Sequence, residues 1–386
     1  MIELTIGKGD IPVIDADKAG PVSQRMARSV MGFYRPEEVR WHYEHGLVLQ
    51  SIFLLGQRTG RDDFCDYVKS MYDTKITPTG EILTYRENEF NLDQVNPGKV
   101  LFQLYEKYGD EKYRVAIETL RDQLRQHPRT KAGGFWHKKI YPWQMWLDGL
   151  YMQGPFYAQY AALYGDAAKD FDDIVLQFTL VESKARDERT GLLYHAWDEA
   201  VWQKWANPAT GCSPHFWGRA MGWYCMALMD TLDFTPPDSR EGLVAIARRL
   251  LAPLLEYQDS QTGLWFQVLD RGYDAGNYTE SSASSMFAYF LFKMLRLDLV
   301  PWNDAERVGA AADKAYRGLL EHKLRENHDG ILSLTDICKV AGLGGTPYRD
   351  GSYEYYVAEP VAVDDFKGVG PFILASMEAE SRAGQS

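Results

Sequence analysis

Apolar positions recur every three or four residues over most of the chain, the spacing typical of amphipathic helices. Prolines mark several expected helix starts, as at Asn96-Pro97 and Pro236-Pro237. The pattern predicts twelve helices, over residues 20–32, 36–57, 62–73, 97–108, 110–127, 143–164, 166–187, 215–232, 238–259, 280–296, 303–323 and 364–382. Since no linker rich in Pro, Ser or Gly divides them, we expect a single domain over residues 1–386.

A glycine recurs between the predicted helices, each time before a short apolar and aromatic run. Successive intervals are 54, 57, 72 and 67 residues, about the length of a helical hairpin with its loop, for Gly80, Gly134, Gly191, Gly263 and Gly330. Regular spacing of this kind indicates repeated units that bury their faces against one another. Six hairpins predict an all-α fold, an (α/α)6 barrel with short extended segments between hairpins. An open solenoid is the alternative.

The inner layer of such a barrel contains every second helix, and we assign to it 36–57, 97–108, 143–164, 215–232, 280–296 and 364–382. Their N-terminal ends then gather at one mouth. Free backbone N–H groups and helix dipoles favour an anionic ligand there. The local field at the mouth therefore matters more than the net charge of −12.

The composition of the chain disfavours several classes of protein. Net charge disfavours a nucleic-acid partner, and no apolar stretch is long enough to predict a membrane span. The four cysteines are widely separated, which predicts buried free thiols in a reducing compartment. Residues 1–20 lack a basic segment leading into an apolar run, so we expect no secretory signal and a cytoplasmic protein. Eleven Trp and 24 Tyr favour a site for sugars.

Two carboxylates are the strongest candidates for chemistry. Asp148 lies inside an apolar and aromatic helix, where desolvation is expected to raise its pKa and let it hold a proton. Asp93 precedes the previous inner helix, so the two could face each other across the mouth. A buried aspartate that caps backbone groups is the structural alternative for Asp148, and an ordinary loop acid is the alternative for Asp93.

A second group of polar and aromatic residues falls near the same mouth. His215, Arg219 and Trp223 are spaced by four residues and are expected to share one helix face. Arg219 requires a carboxylate, either from the protein or from a ligand, and the Trp223 ring can carry a sugar. The other candidates are Tyr43, His137, Lys138 and His195.

Seven segments, in this order, resemble glycoside hydrolase family 105, the unsaturated rhamnogalacturonyl hydrolases. They are WHYEHG, NLDQVNPGK, GGFWHK, YPWQMWLDGLYMQGPFYA, TGLLYHAWD, FWGRAMGW and YRDGSYEYY, between about Trp41 and Phe372. The resemblance implies an (α/α)6 barrel, Asp148 as general acid/base and Asp93 as its assisting carboxylate. It further implies that Tyr43, His137, Lys138, His195, Arg219 and Trp223 hold an unsaturated uronate, and that no metal or cofactor is required.

The implied reaction hydrates the C4=C5 vinyl ether of a 4,5-unsaturated uronic acid and releases the rest of a small oligosaccharide, here most simply unsaturated galacturonyl-rhamnose. The sequence leaves open an unsaturated glucuronyl substrate, the leaving sugar, and the role of the loop 342–356. Two other classes also remain, a sugar epimerase with His137 and His195 as bases and a non-catalytic oligosaccharide-binding barrel. We expect a monomer or a weak homo-oligomer.

Overall fold

The computed structural model describes residues 20–384, so the N-terminal segment inspected for a secretory signal lies almost wholly outside the described residues. The helices are α1 (Val22–Phe33), α2 (Tyr43–Thr59), α3 (Asp62–Asp73), α4 (Gly98–Tyr108), α5 (Glu111–Gln126), α6 (Leu147–Tyr164), α7 (Ala167–Ala185), α8 (Gly218–Leu232), α9 (Glu241–Glu256), α10 (Ser281–Arg296), α11 (Ala305–Gly318), α12 (Tyr353–Ala358) and α13 (Phe366–Ala383). The strands are β1 (Gln144–Trp146), β2 (Ala196–Asp198), β3 (Leu324–Glu326), β4 (Leu332–Leu334), β5 (Ile337–Cys338) and β6 (Val361–Ala362), in antiparallel pairs β1–β2, β3–β4 and β5–β6.

Six helices close into an inner ring. Each packs on the next in the order α2, α4, α6, α8, α10 and α13, and α13 returns to α2. The helices α1, α3, α5, α7, α9 and α11 pack outside them. The protein is therefore an (α/α)6 barrel, which confirms the predicted fold class and the assignment of the inner layer.

The pattern of buried residues differs between the inner and the outer helices. Every residue of α8 is buried, from Gly218 to Leu232, because this helix has neighbours on all sides. The outer helix α5 buries a single stripe that includes Tyr113, Ala116, Ile117 and Leu120, and its opposite face is charged. A single buried stripe is typical of a helix that has one face exposed to solvent.

The recurring glycines lie in five tight turns, each of which follows an outer helix. In each turn a backbone N–H donates across the turn to a carbonyl, at 2.8–3.1 Å, for the pairs Thr77–Glu81, Thr130–Gly134, Asp187–Leu192, Asp259–Leu264 and Asn327–Ile331. Four of the expected glycines have positive φ, and in the second turn it is Gly133 rather than Gly134. Positive φ is a conformation that other residues adopt at a cost, which explains the regular spacing of glycine.

Several helix starts were predicted too early. Residues 36–38 form a separate 3₁₀ turn before α2, residues 144–146 form β1, and α8 begins at Gly218 rather than at residue 215. Residues 144–146 and 216–217 are buried, and a short buried run does not distinguish an extended segment from a helix. Residues 36–38, Pro-Glu-Glu, have the composition of a helix start and form only one 3₁₀ turn. The short helix α12 was not predicted, and the predicted helix 303–323 ends in a π-helical turn, Leu319–Lys323.

Two compositional expectations can be compared with the structure. All four cysteines, Cys65, Cys212, Cys225 and Cys338, are buried free thiols, as expected. Among the helices of residues 20–384, none combines the length and apolar character needed to cross a bilayer.

The turn at Gly263 yields a stability test. Its φ is +76°, and a Cβ there would lie 2.8 Å from the Lys314 carbonyl oxygen, whereas Gly60 has φ +64° with nothing within 4 Å of a Cβ. We expect Gly60→Ala to cost about 1 kcal/mol of unfolding free energy from backbone strain alone. Gly263→Ala should cost at least about 1 kcal/mol more, because strain and a backbone clash combine. Urea denaturation measures both losses, and equal losses would contradict this account.

Candidate active site

A repeated backbone hydrogen bond fixes the start of four inner segments. The first N–H of each segment donates to a carbonyl of the extended segment that follows the next outer helix, at 2.9–3.2 Å. The pairs are Leu92 to His137, Leu147 to His195, Gly218 to Gln267 and Ser281 to Asp336. Leu92 begins a 3₁₀ turn before α4, and the other three donors begin α6, α8 and α10. The residue after each donor is thereby held at the mouth of the barrel.

The second residue of every inner segment is polar. These six residues, which we call the polar ring, are Glu44, Asp93, Asp148, Arg219, Ser282 and Lys367. Two neighbouring pairs are joined directly, since the Lys367 Nζ lies 2.9 Å from a Glu44 oxygen and the Arg219 Nε donates to the Ser282 Oγ at 2.8 Å. The three acids follow one another along the chain, so the ring has an acidic side and a basic side.

Asp93 is buried among cationic and imidazole groups. Its carboxylate oxygens lie 2.5 Å from the Lys138 Nζ, 3.7 Å from the His137 Nε2 and 4.0 Å from the His42 Nε2. Burial would raise the pKa of Asp93, but the attraction of Lys138, His137 and His42 outweighs it and lowers the pKa below that of an ordinary aspartate. Asp93 is therefore an ionised carboxylate near neutral pH.

His137 lies between the two candidate acids. Its Nδ1 has no hydrogen-bond partner among residues 20–384, and it would lie 3.2 Å from a Cβ at Gly149, next to Asp148. Burial lowers the pKa of His137 to about 4, although Asp93 opposes the shift. The ring is consequently neutral near neutral pH, and it stacks on Trp146 with centroids 4.7 Å apart.

Asp148 lies beside His195. The pairing of Trp146 with Ala196 between β1 and β2 brings the two residues together, and the Asp148 Oδ2 lies 3.2 Å from the His195 Nε2. The distance is short enough for a hydrogen bond, but the angle between the two groups is unsuitable for one. Both atoms are therefore buried without a hydrogen-bond partner in the described chain. Catalytic hydrogen bonds are often loose before substrate binds. The Asp148 side chain is 13% exposed, so it is sheltered and still open to the mouth.

Tyr356 of α12 holds the other nitrogen of His195. Its hydroxyl lies 2.8 Å from the His195 Nδ1, and its side chain is fully buried. Burial raises the pKa of Tyr356 well above its usual value, so the hydroxyl stays protonated. As His195 is the one hydrogen-bond partner found for this hydroxyl within residues 20–384, we infer that it donates to Nδ1. The hydrogen of His195 then resides on Nε2 and faces Asp148.

Arg219 is buried with an incomplete set of partners. Its Nη2 lies 3.5 Å from a Glu280 oxygen and donates to the Cys338 carbonyl, while Nη1 has no partner in the described part of the chain. The structure therefore contains the internal ion pair that the sequence left open. It also leaves one guanidinium nitrogen, Nη1, buried without a hydrogen-bond partner among residues 20–384.

The aromatic candidates are placed more deeply than expected. Trp223 is 1% exposed, with one face stacked on Tyr151 at 4.9 Å and its ring 5.9 Å from Tyr43 in an edge-on contact. Tyr43 is half-buried at the start of α2. His215 precedes α8 instead of lying on it, so the expected common helix face of His215, Arg219 and Trp223 is wrong.

The glycine-rich loop 342–347 is attached to the strands next to Asp148. Arg349 donates to the carbonyls of Leu343 and Gly344 and to the hydroxyl of Tyr141, whose ring stacks on Trp146 at 5.0 Å. Leu343 packs in a cluster with Trp146 and Trp205. The loop, whose role the sequence left open, is thus held at the mouth by these contacts.

The sequence candidates converge at the mouth, and the structure adds three residues to them. Tyr356, His42 and Glu280 contact candidate residues but were not selected. Tyr356 is 161 positions from His195, on a helix that the apolar pattern did not predict, and only the YRDGSYEYY resemblance marked its region. Within residues 20–384 no cluster of three or more His, Cys, Asp or Glu side chains has the arrangement of a metal site.

The chain is similar to known glycoside hydrolases both in sequence and in structure. The profile described as Glycosyl Hydrolase Family 88 matches residues 22–383. A solved glycoside hydrolase from family 105 of C. acetobutylicum ATCC 824 is 45% identical with a TM-score of 0.90, and the match covers 94% of this chain and 100% of that one.

Two further relatives are more distant. The unsaturated rhamnogalacturonyl hydrolase YesR of Bacillus subtilis strain 168 is 25% identical over 293 residues, which are 74% of this chain and 78% of the relative. The unsaturated glucuronyl hydrolase of Bacillus sp. GL1 is 13% identical with a TM-score of 0.64, over 93% of this chain and 94% of that one. The second likeness concerns the fold alone.

Proposed function

Because the chain belongs to Glycosyl Hydrolase Family 88, we propose that it removes the 4,5-unsaturated uronic acid from the non-reducing end of lyase-cut rhamnogalacturonan fragments. It is a glycosidase of the unsaturated glycuronyl class. The observation that carries the proposal is the sheltered Asp148 oxygen, unpartnered in the described chain and 3.2 Å from the His195 Nε2.

In the proposed reaction Asp148 supplies and then recovers one proton. Protonated Asp148 adds its proton to C4 of the C4=C5 double bond, which leaves positive charge shared between C5 and the ring oxygen. Water attacks C5 and returns a proton to the Asp148 carboxylate. The hemiketal then opens, releasing the leaving sugar and a keto uronic acid. A single carboxyl group thus serves as acid and as base, without the anomeric carboxylate pair of ordinary glycosidases.

Neighbouring groups assist both steps of the proposed reaction. Asp93, which Lys138, His137 and His42 keep ionised, is the assisting carboxylate of the proposal and would orient the attacking water. Once the proton has left, the His195 Nε2–H can donate to the new carboxylate, and this donor exists because Tyr356 holds the opposite nitrogen. In this scheme Asp93 assists the attack of water, and His195 stabilises the Asp148 carboxylate after the transfer.

The uronate carboxylate is proposed to bind on the basic side of the polar ring. Arg219 Nη1 lacks a partner in the described chain, and a guanidinium binds a carboxylate through paired hydrogen bonds. Lys138, held at 2.5 Å from Asp93 on the acidic side of the ring, is proposed to contact the same sugar. Tyr43 and Trp223 complete the wall of this subsite.

Two observations favour galacturonyl over glucuronyl substrates. The relative named for rhamnogalacturonyl hydrolysis is 25% identical, and the family 105 structure is 45% identical. The glucuronyl hydrolase is related at only 13% identity. We therefore place unsaturated galacturonyl-rhamnose first and unsaturated glucuronyl disaccharides second.

Paired substrates test this choice. The protein is incubated with unsaturated galacturonyl-rhamnose and, separately, with unsaturated disaccharides from ulvan or a glycosaminoglycan. Loss of the ultraviolet band of the unsaturated uronate is followed, and the products are identified by mass spectrometry. We expect faster loss of the band with galacturonyl-rhamnose, with addition of water and bond scission. Faster turnover of the glucuronyl disaccharides would reverse the ranking. An epimerase would preserve the chromophore, and a binding protein would give no product.

The role of Asp148 is tested by Asp148→Asn. An amide cannot deliver the proton, so we expect kcat to fall at least about a hundredfold with the melting temperature little changed. The exposed Asp172→Asn is the matched control and should retain wild-type turnover. Wild-type rates in Asp148→Asn would refute the proposed reaction.

Tyr356→Phe removes only the hydroxyl that orients His195. We expect kcat to fall about tenfold or more with a small change in KM, because the hydrogen on Nε2 is no longer enforced. Near-ultraviolet circular dichroism checks that the fold persists, and Tyr316→Phe on the outer helix α11 controls for loss of a buried hydroxyl. An unchanged kcat in Tyr356→Phe would contradict the tautomer assignment.

A further inference from the structure

A lysine beneath the mouth is buried without an ion-pair partner in the described part of the chain, residues 20–384. Lys99, in the first turn of α4, is 1% exposed, and its Nζ makes no hydrogen bond to any residue of 20–384. An uncompensated buried ammonium is costly, so each such group calls for an explanation. The proposed reaction does not use this lysine.

The amine of Lys99 lies on the face of an aromatic ring. Its Nζ is 3.7 Å from the centre of the Tyr151 ring, well within the range of a cation–π interaction. Trp223 stacks on the same tyrosine at 4.9 Å, with the ring planes 22° apart. An indole stacked at this distance leaves no room for an amine on the same side, so amine and indole occupy opposite faces of Tyr151.

This stack continues to the candidate site. Trp223 makes its edge-on contact with Tyr43 at 5.9 Å, and Tyr43 is the residue before Glu44 of the polar ring. The four groups therefore form one column, from Lys99 through Tyr151 and Trp223 to Tyr43. They come from four different inner helices, α4, α6, α8 and α2, so the column also crosses the barrel interior.

The acidic group that acts on Lys99, Asp230, already has other partners. Asp230 accepts hydrogen bonds from the Tyr289 hydroxyl at 2.6 Å and from the Lys293 Nζ at 2.8 Å, and Lys293 also contacts Asp233. Asp230 and Lys293 act on Lys99 with opposite signs. The aromatic face of Tyr151 is thus the closest stabilising group available to the amine.

We propose that Lys99 is a positioning residue for the uronate subsite, holding Tyr151 against Trp223 so that Trp223 and Tyr43 form a fixed wall for the sugar. This inference rests on the proposed function. Lys99 contacts no reacting atom, and its effect should therefore fall on substrate binding rather than on the chemical step.

The protonation of Lys99 gives the column a dependence on pH. Burial lowers the pKa of Lys99 to about 7, with Asp230 opposing the shift and Lys293 adding to it. Tyr151 and Tyr289 have pKa values raised by burial, while Asp230 raises that of Lys293 against the effect of burial, so these three do not titrate near neutrality. As pH rises through 7 the amine becomes neutral, the cation–π attraction is lost, and KM should rise.

The experiment compares Lys99→Met, Lys99→Arg and Lys169→Met with the wild type on unsaturated galacturonyl-rhamnose. In Lys99→Met we expect KM to rise at least about fivefold, the lower part of the range of a cation–π contact, with kcat within about twofold. The melting temperature should not fall, because methionine replaces a buried cation. Lys99→Arg retains the charge and should keep a wild-type KM, and Lys169 is an exposed control on α7.

Two results would overturn the proposal. One is a wild-type KM in Lys99→Met. The other is a lower kcat, a higher KM and a lower melting temperature together, which would mark a lysine with a structural role alone. Should the variants not fold, the wild-type KM from about pH 6 to about pH 8 decides, since a flat profile contradicts the proposal. Absence of any turnover by the wild type would instead count against the proposed function.

Discussion

The hydrogen bond between the first N–H of an inner segment and the neighbouring extended segment is the constraint on which the candidate site depends. It sets the position of the residue that follows, so Asp93, Asp148, Arg219 and Ser282 occupy equivalent places in four repeats. Because the backbone makes this contact, the side chain at each place is free to differ. One repeated geometry thus supports two acids, a guanidinium and a hydroxyl.

Burial turns these positions into a site with distinct chemical sides. Asp93 is kept ionised by Lys138 and the two imidazoles near it, whereas Asp148 has one oxygen without a partner in the described chain. Two carboxyl groups on neighbouring repeats therefore have different surroundings. Environments that separate a pair of acids in this way are how proteins assign different roles to the same side chain.

The sequence predicted the parts of the molecule that follow from regular spacing. The inner and outer helices and the glycine turns come from periodicity, and Asp93, Asp148 and His195 come from polar residues in apolar surroundings and from a family resemblance. The strand β1 was missed because its buried residues look like a helix turn, and this moved Asp148 to the first turn of α6. Tyr356 and Lys99 depend on contacts between distant segments, which spacing along the chain does not encode.

Closure of the ring joins the two ends of the described chain. The contact of α13 with α2, strengthened by the Lys367–Glu44 ion pair, links residues more than 300 positions apart. During synthesis on the ribosome, α2 therefore waits for nearly all of the remaining helices before its last neighbour emerges. Until then the apolar flank of an incomplete ring stays uncovered, and late long-range closure of this kind favours slow folding and aggregation of the unfinished chain.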